Sequence, residues 1–180
     1  IDEFHDIDDE FVFADSLLVA PVLIEDAKTK KIVKPPGVWY NLTNGQKLVQ
    51  STTIEVSNTS IPVFIKGGKV VPFYTDVKSS AEETRSKSPI ALIVACDEDG
   101  NARGPIYIDD GISYNYREGE FMNKWIVFEN KKVFFENRLP LSKSLPSIAK
   151  DVYINQIKFF GLKEKPQLIS KNAELSCNDN

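Results

Sequence analysis

The sequence predicts an all-β protein in two parts, a small proximal β-domain followed by a distal β-sandwich. Three observations carry that reading. Along most of the 180 residues, large apolar side chains alternate with polar ones at a period of two, the spacing of a strand with one buried face. Gly, Pro, Asn-Gly and Asp-Gly punctuate these runs at short intervals, as turns between strands do. No segment carries an apolar stripe at helical spacing that would dock a helix on a core.

The elements follow in order. Phe11–Ile24 is a long apolar stretch interrupted at Asp15-Ser16 and bent at Pro21, which reads as two consecutive strands. Pro35-Pro36-Gly37 ends one element, Val38–Leu42 forms a short strand, and Asn44-Gly45 is a two-residue hairpin signal. "TTIEVS" alternates cleanly, and "SIPVFIKGGKVVPFY" holds two short apolar runs around Gly67-Gly68. Pro62 and Pro72 place those two strands at edges or bends, because proline donates nothing to a ladder. The polar stretch "DVKSSAEETRSKS" then breaks the pattern. Its serines precede glutamates at capping-box spacing (Ser79/Glu82 and Ser80/Glu83), so a short surface helix fits there, and it marks the division between the two domains. Ile90–Cys96 is apolar on both faces, as a central strand would be. Ile106–Ile108 and Ile112–Tyr116 flank Asp109-Asp110-Gly111, and Lys124–Phe128, Lys132–Phe135 and Asp151–Phe159 complete the series.

Composition narrows the function classes. Six of the 26 carboxylates fall in the first ten residues, leaving 20 acidic against 22 basic groups in the rest. With no basic stripe, nucleic acid is not an expected partner. No apolar run approaches the roughly 20 residues of a membrane span. The one histidine, His5, lies in the acidic N-terminus, which leaves little room for Ser–His, Cys–His or histidine-rich zinc chemistry. Cys96 and Cys177 have no metal-type spacing, and Cys96 reads as a buried small hydrophobe.

Asp109 and Asp110 admit three readings: a hairpin bend, part of a calcium site with Asp97, Glu98 and Asp99, or a catalytic pair. Adjacent strand residues point to opposite faces, so the pair would not converge on a substrate. Asp110-Gly111 is a type I′ turn signal that would pair Ile106/Ile108 with Ile112/Tyr114/Tyr116, and the hairpin is the favoured reading. Trp39, Tyr40, Tyr114, Tyr116 and Trp125 could stack on sugar rings, but aromatic residues in strands are more often core. "DIDDE" reads as a solvated acidic segment and Gly67-Gly68 as a turn rather than a phosphate loop. Asn41-Leu42-Thr43 and Asn58-Thr59-Ser60 are acceptor triplets for N-glycans.

Four motifs in order, "IDDEFVFADSLLVAPV", "PPGVWYNLTNGQ", "SIPVFIKGGKVVP" and "IYIDDGISYNY", resemble the C-terminal part of the glycoside hydrolase family 31 α-glucosidases. The resemblance runs from about Ile7 to Phe160. Within the family, "VKSSAEETRSKSPIALIVACDEDGNARGPIYIDDG" is similar to the glucosidase II branch, whose catalytic subunit works with a β-subunit in the endoplasmic reticulum lumen. The resemblance implies that residues 1–20 are the end of a (β/α)₈ barrel, 21–77 a proximal β-domain, 78–89 a linker and 90–180 a distal sandwich whose last sheet continues past Asn180. Cut from its barrel, Phe11–Leu23 is expected to be frayed or to bury against a neighbour. The family usually has Gly-Asp or Gly-Pro where Ala14-Asp15 stand, and Arg-Gly-Gly where Lys66-Gly67-Gly68 stand. Its catalytic motif, Trp-x-Asp-Met-Asn-like at a barrel strand end, is absent, so no residue here is assigned to catalysis, a cofactor or a metal. The expectation is a non-catalytic fragment of an α-glucosidase acting on terminal α-linked glucose, its partners being its own barrel, a β-subunit and the oligosaccharide substrate. The rival expectations are a free-standing carbohydrate-binding sandwich and a subunit-assembly module.

Overall fold

The computed structural model describes residues 6–57, 59–147, 152–164 and 175–177. Its strands are β1 (Phe11–Phe13), β2 (Leu17–Val19), β3 (Thr29–Ile32), β4 (Trp39–Asn41), β5 (Thr52–Glu55), β6 (Val63–Lys66), β7 (Lys69–Tyr74), β8 (Ile90–Ala95), β9 (Ala102–Ile108), β10 (Met122–Glu129), β11 (Lys132–Asn137), β12 (Ile154–Phe160) and β13 (Leu175–Cys177). One helix, α1 (Ala81–Lys87), lies between β7 and β8, and a 3₁₀ segment spans Asn115–Glu118.

The strands form a four-stranded sheet in the order β1-β2-β6-β4, a two-stranded ribbon β3-β5, and a seven-stranded sheet β11-β10-β9-β7-β8-β12-β13. Three apolar clusters lie between successive layers. Leu18, Ile32, Trp39, Leu48 and Phe64, with Ile54, fill the space between the ribbon and one face of the four-stranded sheet. Val38, Tyr40 and Ile65 on its other face meet Ile93, Ala95 and Phe160 of β8 and β12. Leu92 and Val94 point the other way, against Ile106, Ile108, Ile126 and Phe128 of β9 and β10. The seven-stranded sheet is therefore folded on itself between β7 and β9. β8 is buried along its whole length because both of its faces are covered, as its continuous apolar run predicts.

Four details differ from the sequence reading. Lys69–Tyr74 was expected with the proximal strands, but β7 pairs with β8 from Lys69↔Ala95 to Tyr74↔Ile90, so the change of sheet falls at Gly67-Gly68, ahead of the polar linker at 78–89. A Cβ at Gly67 would stand 2.8 Å from both the Cys96 carbonyl and Val38 Cβ, so the crossing is tight enough to demand glycine. Phe11–Leu23 is not frayed: β1 and β2 form an antiparallel hairpin, and β2 pairs with β6 inside this chain's own sheet. Placement inside that sheet counts against residues 1–20 as a barrel strand stripped of its neighbours. Ile112–Tyr116 is not a strand. β9 and β10 pair through Ile108↔Met122, and the residues between form a long loop. The hairpin reading of Asp110-Gly111 is thus right about the connection and wrong about its length. Similarly, Asn41 N donates to Gln46 O, so the turn at Asn44-Gly45 is wider than two residues.

The linker does form the short helix that its serines allow. Ser80 caps it, its hydroxyl accepting from Glu83 N at 3.1 Å. It docks through buried Thr84, whose hydroxyl accepts from Lys78 N, rather than through an apolar stripe.

Candidate functional site

Two of the carboxylates that sequence reading singled out, Asp97 and Asp110, are held by local structure. Asp110 Oδ1 accepts from Ile112 N and Ser113 N, both at 3.1 Å, and Ser113 Oγ donates to Oδ2 at 2.5 Å. These bonds, led by the Ser113 hydroxyl, hold the Asp110 carboxyl below the usual carboxylate range. The same bonds form an Asx turn that bends the chain out of strand geometry, which is why the hairpin is long. Asp97 Oδ1 accepts from Asp99 N and Asn101 N and closes the β8–β9 turn. Among the described residues, no group of three or more His, Cys, Asp or Glu is placed to hold a metal ion.

The acidic N-terminal segment is less free than its composition implies. Lys30, only 8% exposed, donates to the Asp9 carboxylate and, at 3.2 Å, to the Asp9 carbonyl. Glu10 accepts the Val33 N–H at 3.1 Å, and burial raises its pKa despite that bond. Asp9 and Glu10 thereby pin this segment along β3. His5 lies outside the described residues.

The aromatic candidates divide. Trp39 and Tyr40 are core, with Tyr40 Oη donating to the Cys96 carbonyl at 2.9 Å across two layers. Trp125 has two guanidinium groups over its ring, Arg103 at 4.5 Å and Arg138 at 4.7 Å from the centroid. Cations already pack on it, so it is not a free stacking platform. Tyr114 and Tyr116 are exposed on the β9–β10 loop with Arg117 over the Tyr114 ring at 4.5 Å. Two tyrosines that the sequence reading did not select, Tyr74 and Tyr107, are about half exposed beside a groove between β7 and β9.

Of the glycan acceptors, Asn41 sits at the end of β4, where its Oδ1 accepts from Thr43 N at 2.9 Å and Asn44 N at 3.3 Å. Asn58 lies outside the described residues.

The most conspicuous unpartnered surface is β1. Phe11, Val12 and Phe13 are all exposed, and among the described residues β1 is the edge of its sheet, with one side of the strand unpaired. Beside it, Ile7, Glu10, Phe11, Val12, Leu18, Val33, Pro35 and Pro36 line a hollow of about 240 Å³. The turn that projects β1 is strained. Ala14 and Asp15 both have positive φ, 49° and 50°, and Asp15 is clamped by Lys66 (2.6 Å) and Lys69 (2.8 Å). The hydrogen bonds from Lys66 and then Lys69 hold the Asp15 carboxyl down to about 2. Glycine would adopt the Ala14 conformation without strain.

With this geometry in hand, residues 2–71 match the model of the glycosyl hydrolase family 31 C-terminal domain. The chain belongs to the C-terminal region of glycoside hydrolase family 31. It is 31% identical over 173 residues to neutral alpha-glucosidase AB of Dictyostelium discoideum, covering 93% of this chain and 18% of that protein. It is 31% identical over 136 residues to the glucosidase 2 subunit alpha of Saccharomyces cerevisiae, covering 71% of this chain and 14% of that protein. In fold it is similar to the crystal structure of an ER glucosidase II heterodimeric complex of catalytic subunit and regulatory-subunit binding domain (TM-score 0.75, 24% identity, 84% of this chain and 17% of that one). The chain thus spans less than a fifth of the length of these relatives.

Proposed function

We propose that this chain is the non-catalytic C-terminal part of a retaining α-glucosidase of the glucosidase II type. That parent would remove terminal α-linked glucose from N-linked glycans in the endoplasmic reticulum lumen, together with a regulatory β-subunit. The carrying observation is the alignment to a neutral alpha-glucosidase along 93% of this chain but only 18% of the relative. A retaining glycosidase needs two carboxylates about 5–5.5 Å apart across the scissile bond. Asp9, Glu10, Asp15, Asp97 and Asp110 instead hold turns and lysines.

In this reading the chain's role is mechanical. The exposed edge β1 and the hollow beside it pack on the catalytic barrel, and the strained, lysine-clamped turn fixes the angle at which β1 is presented. Residues 1–20 mark the passage from barrel to proximal domain, the proximal domain ends at Gly67-Gly68, and the distal sandwich begins with β7, ahead of the linker. Asn41 and Asn58 are the acceptor sites that passage through the secretory pathway would expose to glycosylation.

The test has two arms. The isolated 180-residue chain should not hydrolyse p-nitrophenyl α-glucoside, and turnover by a clean preparation would overturn the non-catalytic reading. Phe11→Asp with Phe13→Asp should leave the melting temperature of the isolated chain within a few degrees, since both side chains are exposed. The same pair in the full-length parent should lower its stability and activity. An unaffected parent would remove β1 from the interface.

A further inference from the structure

We propose that Lys30 is an orientation lock: it is buried to fix the line along which the segment ahead of β1 enters that strand, and not to stabilise the ribbon in which it sits. Lys30 and Ile32 are the inward residues of β3, while Thr29 and Lys31 face solvent. Lys30 stands opposite Ile54 across the ribbon, and both Ile32 and Ile54 pack in the apolar cluster of Leu18, Trp39, Leu48 and Phe64. An ammonium in that setting must be paired, because its charge has left water. Its carboxylate partner and the carbonyl that accepts from it at 3.2 Å both belong to Asp9. Glu10 adds a second tie, its two oxygens accepting the Val33 N–H at 3.1 and 3.3 Å.

The energetics separate such a lock from ordinary core packing. Replacing a buried ion pair by apolar groups is commonly neutral or stabilising, whereas removing one partner strands the other charge. Here the partners are unequally buried: Lys30 is 8% exposed and Asp9 48%. Asp9 returns to water at little cost, and Lys30 does not. The cost of the pair therefore falls on Lys30, and its effect is to hold Asp9 in place. Asp9 and Glu10 lead directly into Phe11, so the two ties fix the start of β1 against the ribbon, which is a separate sheet. The far end of β1 is fixed in the same manner, by Lys66 and Lys69 on Asp15. Between these clamps β1 pairs with β2 at Phe11, Val12 and Phe13, a ladder too short to hold an angle by itself. Ile7 and Glu10 of the locked segment also wall the hollow beside β1, so the lock sets the shape of that hollow as well.

The test is a double-mutant cycle in the 180-residue chain, read by melting temperature and by hydrogen exchange at the Val33 amide. Val33 follows the last residue of β3 and its N–H is held by the Glu10 carboxylate, so its exchange reports whether the segment is in place. Lys30→Met should keep or raise the melting temperature and speed Val33 exchange by about tenfold or more. Asp9→Asn should lower the melting temperature by about 5 °C, because it leaves the ammonium buried without its counter-charge. Adding Lys30→Met to Asp9→Asn should recover that loss. A second arm rests on the α-glucosidase reading. In the full-length parent Lys30→Met should lower the melting temperature, since β1 would meet the barrel unlocked. A released Val33 amide with an unaffected parent would uphold the lock and count against the docking of β1 on the barrel. Unchanged Val33 exchange in Lys30→Met, a fall in melting temperature as large as that of Asp9→Asn, or a double variant no more stable than Asp9→Asn would overturn the proposal.

Discussion

Tyr40→Phe removes one oxygen atom at the junction of the two main sheets, and its effect can be worked from the structure. Tyr40 Oη donates to the Cys96 carbonyl, which has no other donor among the described residues, and both residues are buried. Deleting the hydroxyl leaves a buried carbonyl unpaired, which costs about 2 kcal/mol within a range of 1–3. For a chain of this size that lowers the melting temperature by roughly 4–8 °C. The phenol supplies a second, independent signature. Burial, followed by repulsion from Cys96 and Asp97, raises its pKa to about 12. Between pH 10 and 12 the unfolded chain ionises at this position and the folded one does not. The stability contributed by Tyr40 is therefore complete below pH 10 and is lost as pH rises toward 12. Chemical unfolding of both proteins from pH 8 to 11.5 should show the wild-type advantage shrinking above pH 10. A constant difference across that range, or none at pH 8, would refute the assignment of Tyr40 as a buried bridge between layers.

Three further outcomes follow from the turns and the core. Ala14→Gly relieves a left-handed alanine, φ 49°, and should raise stability by about 1 kcal/mol in thermal unfolding. Asp15 is held down to about 2, so its contribution is present above the ordinary carboxylate range and is lost as pH falls from about 4 toward 2. Asp15→Asn should therefore differ from wild type at pH 6 and converge on it near pH 2 in denaturant titrations. Cys96 is fully buried and burial pushes its thiol up to about 11, so it should resist Ellman's reagent at pH 8 until the chain unfolds.

Most of the strands were legible because burial on one face writes a period of two, and β8 because burial on both faces writes a continuous apolar run. What escaped had physical reasons. β3 contains Thr29, Lys30 and Lys31, and a lysine reads as solvent-facing. Lys30 is buried only because Asp9, 21 residues earlier in the chain, folds back to meet it. No local pattern encodes a partner at that distance. The loop after β9 reads as a hairpin strand because Ile112, Tyr114 and Tyr116 alternate, yet all three are exposed and the alternation reports no burial. The decisive residue is Ser113, whose hydroxyl and N–H both bond Asp110 and divert the chain before a ladder forms. The segment Lys66-Gly67-Gly68-Lys69 reads as a tight turn between paired strands, and a turn it is. Its strands enter different sheets because both faces of β8 need cover. That requirement arises two elements later, at Ile90–Ala95, and is invisible at the glycines themselves.

The prolines show the opposite case, a signal legible in the sequence whose meaning appears only in the fold. Pro72 reads as an edge or bend marker, yet β7 is the fourth strand of seven, flanked on both sides. The conflict resolves once Pro105 is seen on the facing strand. An interior strand can carry proline if its neighbour diverges where the donor is missing, and two prolines facing one seam make that divergence mutual. Gly104 marks where the strands are still close: a Cβ there would stand 1.7 Å from the Val70 carbonyl. Gly104→Ala must push β7 and β9 apart where they are paired, at a cost of about 3 kcal/mol. It should also lower the melting temperature by roughly 6–12 °C. Tolerance of alanine at 104, with an unchanged melting temperature, would mean that the strands are not in contact at that point, and the account of the seam would lose its fixed end.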